Sequence, residues 1–183
     1  MDEKVKKYIL KIARKAIENY VKYGKIIPKP ADAPLELNEK KGVFVTIYKN
    51  NELRGCIGIP YATKSLVENL IEAAVGATED PRFLPLTENE LKEIKIEVSI
   101  LSEIKKVEGK NYQEKIEKIK EFEHGVIIKR GIRSALFLPQ VWNELPSKDL
   151  FLTQLCLKAG LNPNDWKKDD TEFYIFTAEI IKE

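Results

Sequence analysis

From Val5 to Val21 the apolar side chains recur at three- and four-residue steps: Val5, Tyr8, Ile9, Ile12, Ala13, Ala16, Ile17, Tyr20 and Val21, with Lys, Arg and Glu between them. That period predicts an amphipathic helix. Gly24 is placed to end it, because glycine takes the left-handed conformation of a helix C-terminus without a Cβ clash. The prolines between Ile26 and Pro34 exclude a helix or an inner strand, so this stretch is expected to run extended over the surface.

The pattern changes at Gly42. GVFVTIY, from Gly42 to Tyr48, is β-branched and aromatic; Lys49-Asn50-Asn51-Glu52 supplies turn residues; LRGCIG, from Leu53 to Gly58, follows. The order predicts a β-hairpin whose second strand carries LRGCIG. Ser65 and Glu68 have the spacing of a capping box, in which each side chain satisfies the other's free backbone N–H, and an apolar helix should run from there to about Thr78. Two prolines break the pattern between Glu79 and Leu86. Thr87 and Glu90 repeat the capping-box spacing ahead of a short helix.

Ile94, Ile96, Val98 and Ile100 then alternate with Glu97 and Ser99, the period of a half-buried strand. A short helix capped by Asn111 is expected to reach Phe122. Strands are expected over Val126–Lys129 and Ala135–Leu138, a helix from Ser147 to Gly160, and a last strand from Thr171 to Ile181. Strands joined by hairpins or single short helices predict an α+β fold with a mainly antiparallel sheet flanked by helices. With no internal repeat and no long linker, residues 1–183 are expected to form one domain.

Charge and composition narrow the function classes. The 31 basic and 29 acidic residues leave a net charge of +2, too little for a strong field of one sign that would drive non-specific nucleic-acid or membrane binding. Lys and Glu are abundant, and Asn, Gln and Met are thin beside that charge, a composition associated with archaeal or thermophilic proteins. The charged, amphipathic start does not read as a signal peptide, and no stretch approaches the roughly 20 apolar residues of a membrane span. Two cysteines far apart, Cys56 and Cys156, suggest free thiols, and a cytoplasmic location is expected.

Candidate chemistry centres on Cys56. One reading is a reactive thiol whose flanking Gly55 and Gly58 let a ligand approach the backbone; the other is a small buried hydrophobe in a strand. Arg54, read by strand alternation, is expected to point away from the thiol. His124, the single histidine, is the candidate base for Cys56, or a hydrogen-bonding residue at a strand end. Asp80-Pro81-Arg82-Phe83 either shapes a cleft wall with a planar guanidinium or is a structural turn. No metal-ligand spacing and no phosphate-loop motif occurs, so neither metal nor cofactor is expected. Nucleic acid could use Arg54, Arg82, Lys129, Arg130 and Arg133, although ordinary surface cations balanced by Glu explain the same residues.

Six segments fall in one order: FVTIYKNNELRGCIG, EDPRFLPLT, IEVSIL, HGVII, LFLPQVW and LCLKAGL. Together they resemble the AMMECR-type domain family, over about Phe44 to Leu161. The resemblance implies an α+β domain of two lobes, with both termini in the larger lobe and LRGCIG beside a cleft. It implies that Arg54, Cys56, Asp80, Arg82 and His124 line a functional site, and it names Memo-type and radical SAM proteins as partners. It supplies no reaction. Two functions follow as expectations: an enzyme or enzyme subunit that uses Cys56 on a small anionic substrate, with Arg54 or Arg82 binding it and His124 or Glu97 handling protons; or a non-catalytic module that binds a protein or nucleic acid.

Overall fold

In a computed structural model describing residues 1–183, the apolar stripe of the first segment forms α1 (Glu3–Tyr23), which buries Val5, Ile9, Ile12, Ala13, Ala16 and Ile17 along one face. Gly24 ends it as expected, at φ 63° with its N–H on the carbonyl of Tyr20. Strands β1 (Val43–Lys49) and β2 (Glu52–Ile59) form the hairpin. Asn50 and Asn51 turn it at φ 53° and 64°, the two left-handed positions of a type I′ turn. Helix α2 (Leu66–Thr78) starts at Ser65, whose N–H donates to the Glu68 carboxylate at 3.2 Å. Strand β3 (Ile94–Leu101) pairs antiparallel with β1.

The chain divides into two units, Met1–Leu101 with Glu179–Glu183, and Ser102–Ala178. The second contains β4 (Lys105–Lys106), α3 (Tyr112–Glu117), β5 (Gly125–Arg130), β6 (Arg133–Phe137), α4 (Lys148–Lys158) and β7 (Glu172–Phe176), with sheet order β4-β7-β5-β6. Its core joins Val126, Ile128 and Phe173 of the sheet to Phe151, Leu152, Leu155 and Cys156 of α4. Trp142, stacked on Phe151 at 3.7 Å between ring centroids, completes it. A last strand, β8 (Ala178–Lys182), joins the first unit's sheet in the order β2-β1-β3-β8. The fold is thus α+β, with two four-stranded sheets, mainly antiparallel and flanked by helices.

Three expectations change in detail. The single strand predicted over Thr171–Ile181 is broken at Thr177, which exchanges hydrogen bonds with Ser102, so β7 and β8 serve different sheets. The helix expected to reach Phe122 stops at Glu117, and Phe122 takes a left-handed φ of 61° in the following turn. The helix after Thr87 is a 3-10 turn, Glu88–Lys92, and a second such turn at Pro139–Asn143 had no periodic signal to reveal it.

In the first unit, Val43, Val45 and Ile47 of β1, and Ile94, Ile96, Val98 and Ile100 of β3, bury against α1 and α2 in one apolar cluster. Their alternates, Phe44, Thr46 and Tyr48 with Lys95, Glu97 and Ser99, therefore share the opposite face. Strand β2 joins this pattern through a register shift. Lys49 faces Glu52 and Tyr48 faces Leu53, but Ile47 faces Gly55 and Thr46 faces Cys56, so Arg54 is an extra residue with no partner opposite. The shift turns Gly55 toward α2, where an added Cβ would lie 2.2 Å from the carbonyl oxygen of Ala77.

That contact is with backbone, which no side-chain rotation relieves. Gly55→Ala is expected to destabilise the protein by about 3 kcal/mol or to prevent folding, read as a lowered urea midpoint.

Candidate functional site

Strand β2 is an edge, and an antiparallel edge strand leaves alternate N–H and C=O groups without a neighbouring strand. At Cys56 side chains take that neighbour's place. Asp80 Oδ2 accepts the Cys56 N–H at 2.8 Å, and Arg82 Nη2 reaches the Cys56 carbonyl oxygen at 3.4 Å. Asp80 and Arg82 are held by their own turn: the Phe83 N–H donates to the Asp80 carbonyl at 2.9 Å, with Pro81 at the position where its fixed φ suits the turn. Asp80-Pro81-Arg82-Phe83 is thus a structural turn, and it carries an oriented guanidinium.

The Asp80 carboxylate is almost fully buried, at 2% exposure, and accepts four donors: the N–H groups of Cys56 and Arg82, and Arg82 Nε and Nη2 at 3.0 and 2.7 Å. Chiefly through Arg82, its pKa falls to about 2. Arg82 spends one edge of its guanidinium on Asp80, while its side chain stays 56% exposed and Nη1 has no protein partner. Phe83 lies beneath it, 5.6 Å from the guanidinium carbon to the ring centroid.

Arg54 takes a different part. Nε and Nη2 grip the two oxygens of Glu90 at 2.9 and 3.0 Å, and Nη1 donates to the Leu84 carbonyl at 2.9 Å. It staples the 84–90 segment to β2. Arg54 and Cys56 do engage different surroundings, but for a reason other than alternation: residues two apart in a regular strand share a face, and only the register shift at Arg54 separates them. Arg54 brings the pKa of Glu90 down to about 2, with Thr87 and Lys49 assisting.

The glycines of LRGCIG are filled by protein. Gly55 meets the α2 backbone, and a Cβ on Gly58 would fall 2.2 Å from the Phe44 ring. Cys56 itself is half-buried, with Thr46 Oγ1 donating to its sulfur at 3.2 Å. Thr46 also faces Glu97 on its other side, so Cys56, Thr46 and Glu97 form one row across three strands. Glu97 is buried and pairs with Lys182 at 2.8 Å. Sequence reasoning missed Thr46 and Glu90. Thr46 could be found only by counting the hairpin register, and the bulge defeats that count.

Residues 10–181 match the AMMECR1 family model. The chain is 47% identical to Protein MK0488 of Methanopyrus kandleri, over 96% of this chain and 87% of that protein. A Thermococcus onnurineus protein is 46% identical, again over 96% of this chain and over 89% of the relative. The crystal structure of Protein PH0010 from Pyrococcus horikoshii superimposes with a TM-score of 0.95 at 43% identity, covering 100% of this chain and 93% of that one. The chain belongs to the AMMECR1 family.

In this AMMECR1 domain His124 lies in the second unit and Cys56 in the first. His124 has local duties. Its Nδ1 accepts the Lys120 N–H at 3.1 Å, its carbonyl accepts Trp142 Nε1 at 2.8 Å, and burial holds its pKa below the ordinary value. No three His, Cys, Asp or Glu side chains gather as a metal site. Two surface grooves, of about 490 and 450 Å³, are lined by other residues: Ile26, Ile71 and Val75 in one, Arg130, Arg133 and Leu161 in the other. The chemistry-bearing side chains are instead gathered at the β2 edge. No helix is long and apolar enough to cross a membrane.

The depressed pKa of Asp80 gives the site a pH signature. The folded value lies below the unfolded one, so the stabilisation is complete above about pH 5 and is lost as pH falls toward 2. Allowing for the exposure of Arg82, it is about 2 kcal/mol at neutral pH and about half that at pH 3. Asp80→Asn is expected to lower stability by this amount at pH 7, with the gap to wild type halved at pH 3, as measured by urea unfolding at the two pH values.

Proposed function

We propose that the β2 edge is a thiol site for small anionic substrates, with Arg82 as the anion anchor and Cys56 as the nucleophile. One observation carries this reading. Asp80 occupies one edge of the Arg82 guanidinium and fixes its orientation, Nη2 gives its second N–H to the Cys56 carbonyl at 3.4 Å, and Nη1 is left exposed beside it. A carboxylate or phosphate oxygen suits Nη1, because a hydrogen bond from a charged donor to an anion is among the strong ones. The same contact brings the rest of the substrate beside the Cys56 sulfur.

The guanidinium also interacts electrostatically with Cys56, favouring the thiolate as nucleophile. In the step itself, a sulfur electron pair forms the bond to an electrophilic carbon, the displaced group leaves with the pair of the broken bond, and the thiol proton passes to water. Arg54, wholly engaged with Glu90 and backbone carbonyls, supports the 84–90 segment and has no substrate role in this scheme. The scheme also assigns no step to His124.

Two alkylating reagents of nearly equal size test it, the anionic iodoacetate and the neutral iodoacetamide. Cys156, fully buried, serves as the unreactive internal control in the native chain. Arg82→Gln is expected to lower the iodoacetate-to-iodoacetamide rate ratio at Cys56 about tenfold, the worth of a charge-assisted hydrogen bond of about 1.5 kcal/mol. Mass spectrometry of the Cys56 peptide reads both rates; equal ratios in wild type and variant would overturn the anion anchor.

A further inference from the structure

Thr46 is a polar residue in the middle of a strand whose neighbours Val45 and Ile47 are core, and it is 4% exposed. A buried hydroxyl must place its proton on an acceptor or lose the hydrogen bonds it had in water. The Thr46 backbone sits in a ladder between β2 and β3, and the hydroxyl's hydrogen bond goes to Cys56 Sγ at 3.2 Å. The β-branched side chain has few χ1 choices in a strand, so this aim is held by local sterics.

Charged groups on the strands and the turn about Cys56 form ion pairs within the first unit. Asp80 holds Arg82, Glu90 holds Arg54 and Lys49, and Glu97 on β3 holds Lys182 of β8. Glu97, across the strand from Thr46, is thus supplied with a cation of its own. The Thr46 hydroxyl is a donor directed at the sulfur from the face opposite the helices. A donor of this kind bonds a thiolate more strongly than a thiol, which favours the charged form.

We propose that Thr46 is a positioning residue that holds Cys56 in its ionised, nucleophilic form through the cross-strand hydrogen bond to Sγ. This inference rests on the anion-site reading for its purpose, but concerns a different side chain and a different observable. Removing the hydroxyl while keeping the shape of the side chain should raise the pH at which the thiol ionises and leave the fold in place.

The test is the rate of Cys56 alkylation by neutral iodoacetamide, followed from pH 5 to pH 10 in the full chain. Thr46→Val is expected to move the inflection up by about one pH unit, slowing alkylation about tenfold near pH 7, while Thr46→Ser restores the wild-type profile. Thermal melts show whether the variants keep the fold; if Thr46→Val does not fold, Thr46→Ala carries the same expectation. An inflection unchanged in Thr46→Val or Thr46→Ala overturns the inference. If it is unchanged while Arg82→Gln still alters the reagent ratio, Thr46 fails and the anion site stands. If the inflection moves but the reagent ratio does not, the anion site fails and the poising of the thiol by Thr46 stands.

Discussion

An extra residue in β2 sets which face of the first sheet carries the thiol. Counted without interruption from the Asn50-Asn51 turn, the hairpin would place Cys56 opposite Val45, on the face buried against the helices, and Gly55 opposite Thr46. The bulge at Arg54 moves every residue beyond it by one. Cys56 comes to lie beside the Thr46 hydroxyl, and Gly55 occupies the one place where α2 leaves no room for a side chain. Arg54, the residue with no partner opposite, is free to reach sideways and bind Glu90 and the Leu84 carbonyl. Packing of α2 and presentation of the thiol are therefore consequences of one irregularity in the backbone ladder.

The same edge strand faces a second requirement. Its outward backbone groups at Cys56 need partners, and a neighbouring strand is not present. Asp80 and Arg82 supply the acceptor and the donor from a turn that is itself closed by Asp80. A buried carboxylate is costly unless its oxygens are bonded, and here four donors converge on it. The arrangement blunts an edge that could otherwise pair with another chain, and it leaves Nη1 of a fixed guanidinium without a protein partner. Structural need and chemical opportunity are met by the same two side chains.

Much of the fold could be read from periodicity, because the physical causes are local. The three- and four-residue spacing of α1, the Ser65–Glu68 cap, the Asn50-Asn51 turn and the alternation in β3 each express contacts within a few residues of one another. Where long-range contacts ruled, the reading fell short. The last strand divides at Thr177 because its two halves pair with strands of different sheets, which nothing in TEFYIFTAEII displays.

The candidate site divides in the same way. LRGCIG and Asp80-Pro81-Arg82-Phe83 stood out in the sequence, since cysteine, arginine and a proline turn are recognisable as residue types, and six ordered segments pointed to the family. Their roles were beyond it. Arg54 and Arg82 are alike in sequence, yet one is consumed by Glu90 and two backbone carbonyls while the other keeps Nη1 open. Which arginine is available depends on partners 30 to 36 positions away, counted from Arg54 to Leu84 and to Glu90. Local pattern sufficed for most of the elements, the class of fold and the residue types of the site. Which face holds the thiol is a matter of long-range packing, because a one-residue register shift exchanges the faces of a strand and places Gly55 where α2 leaves no room for a side chain.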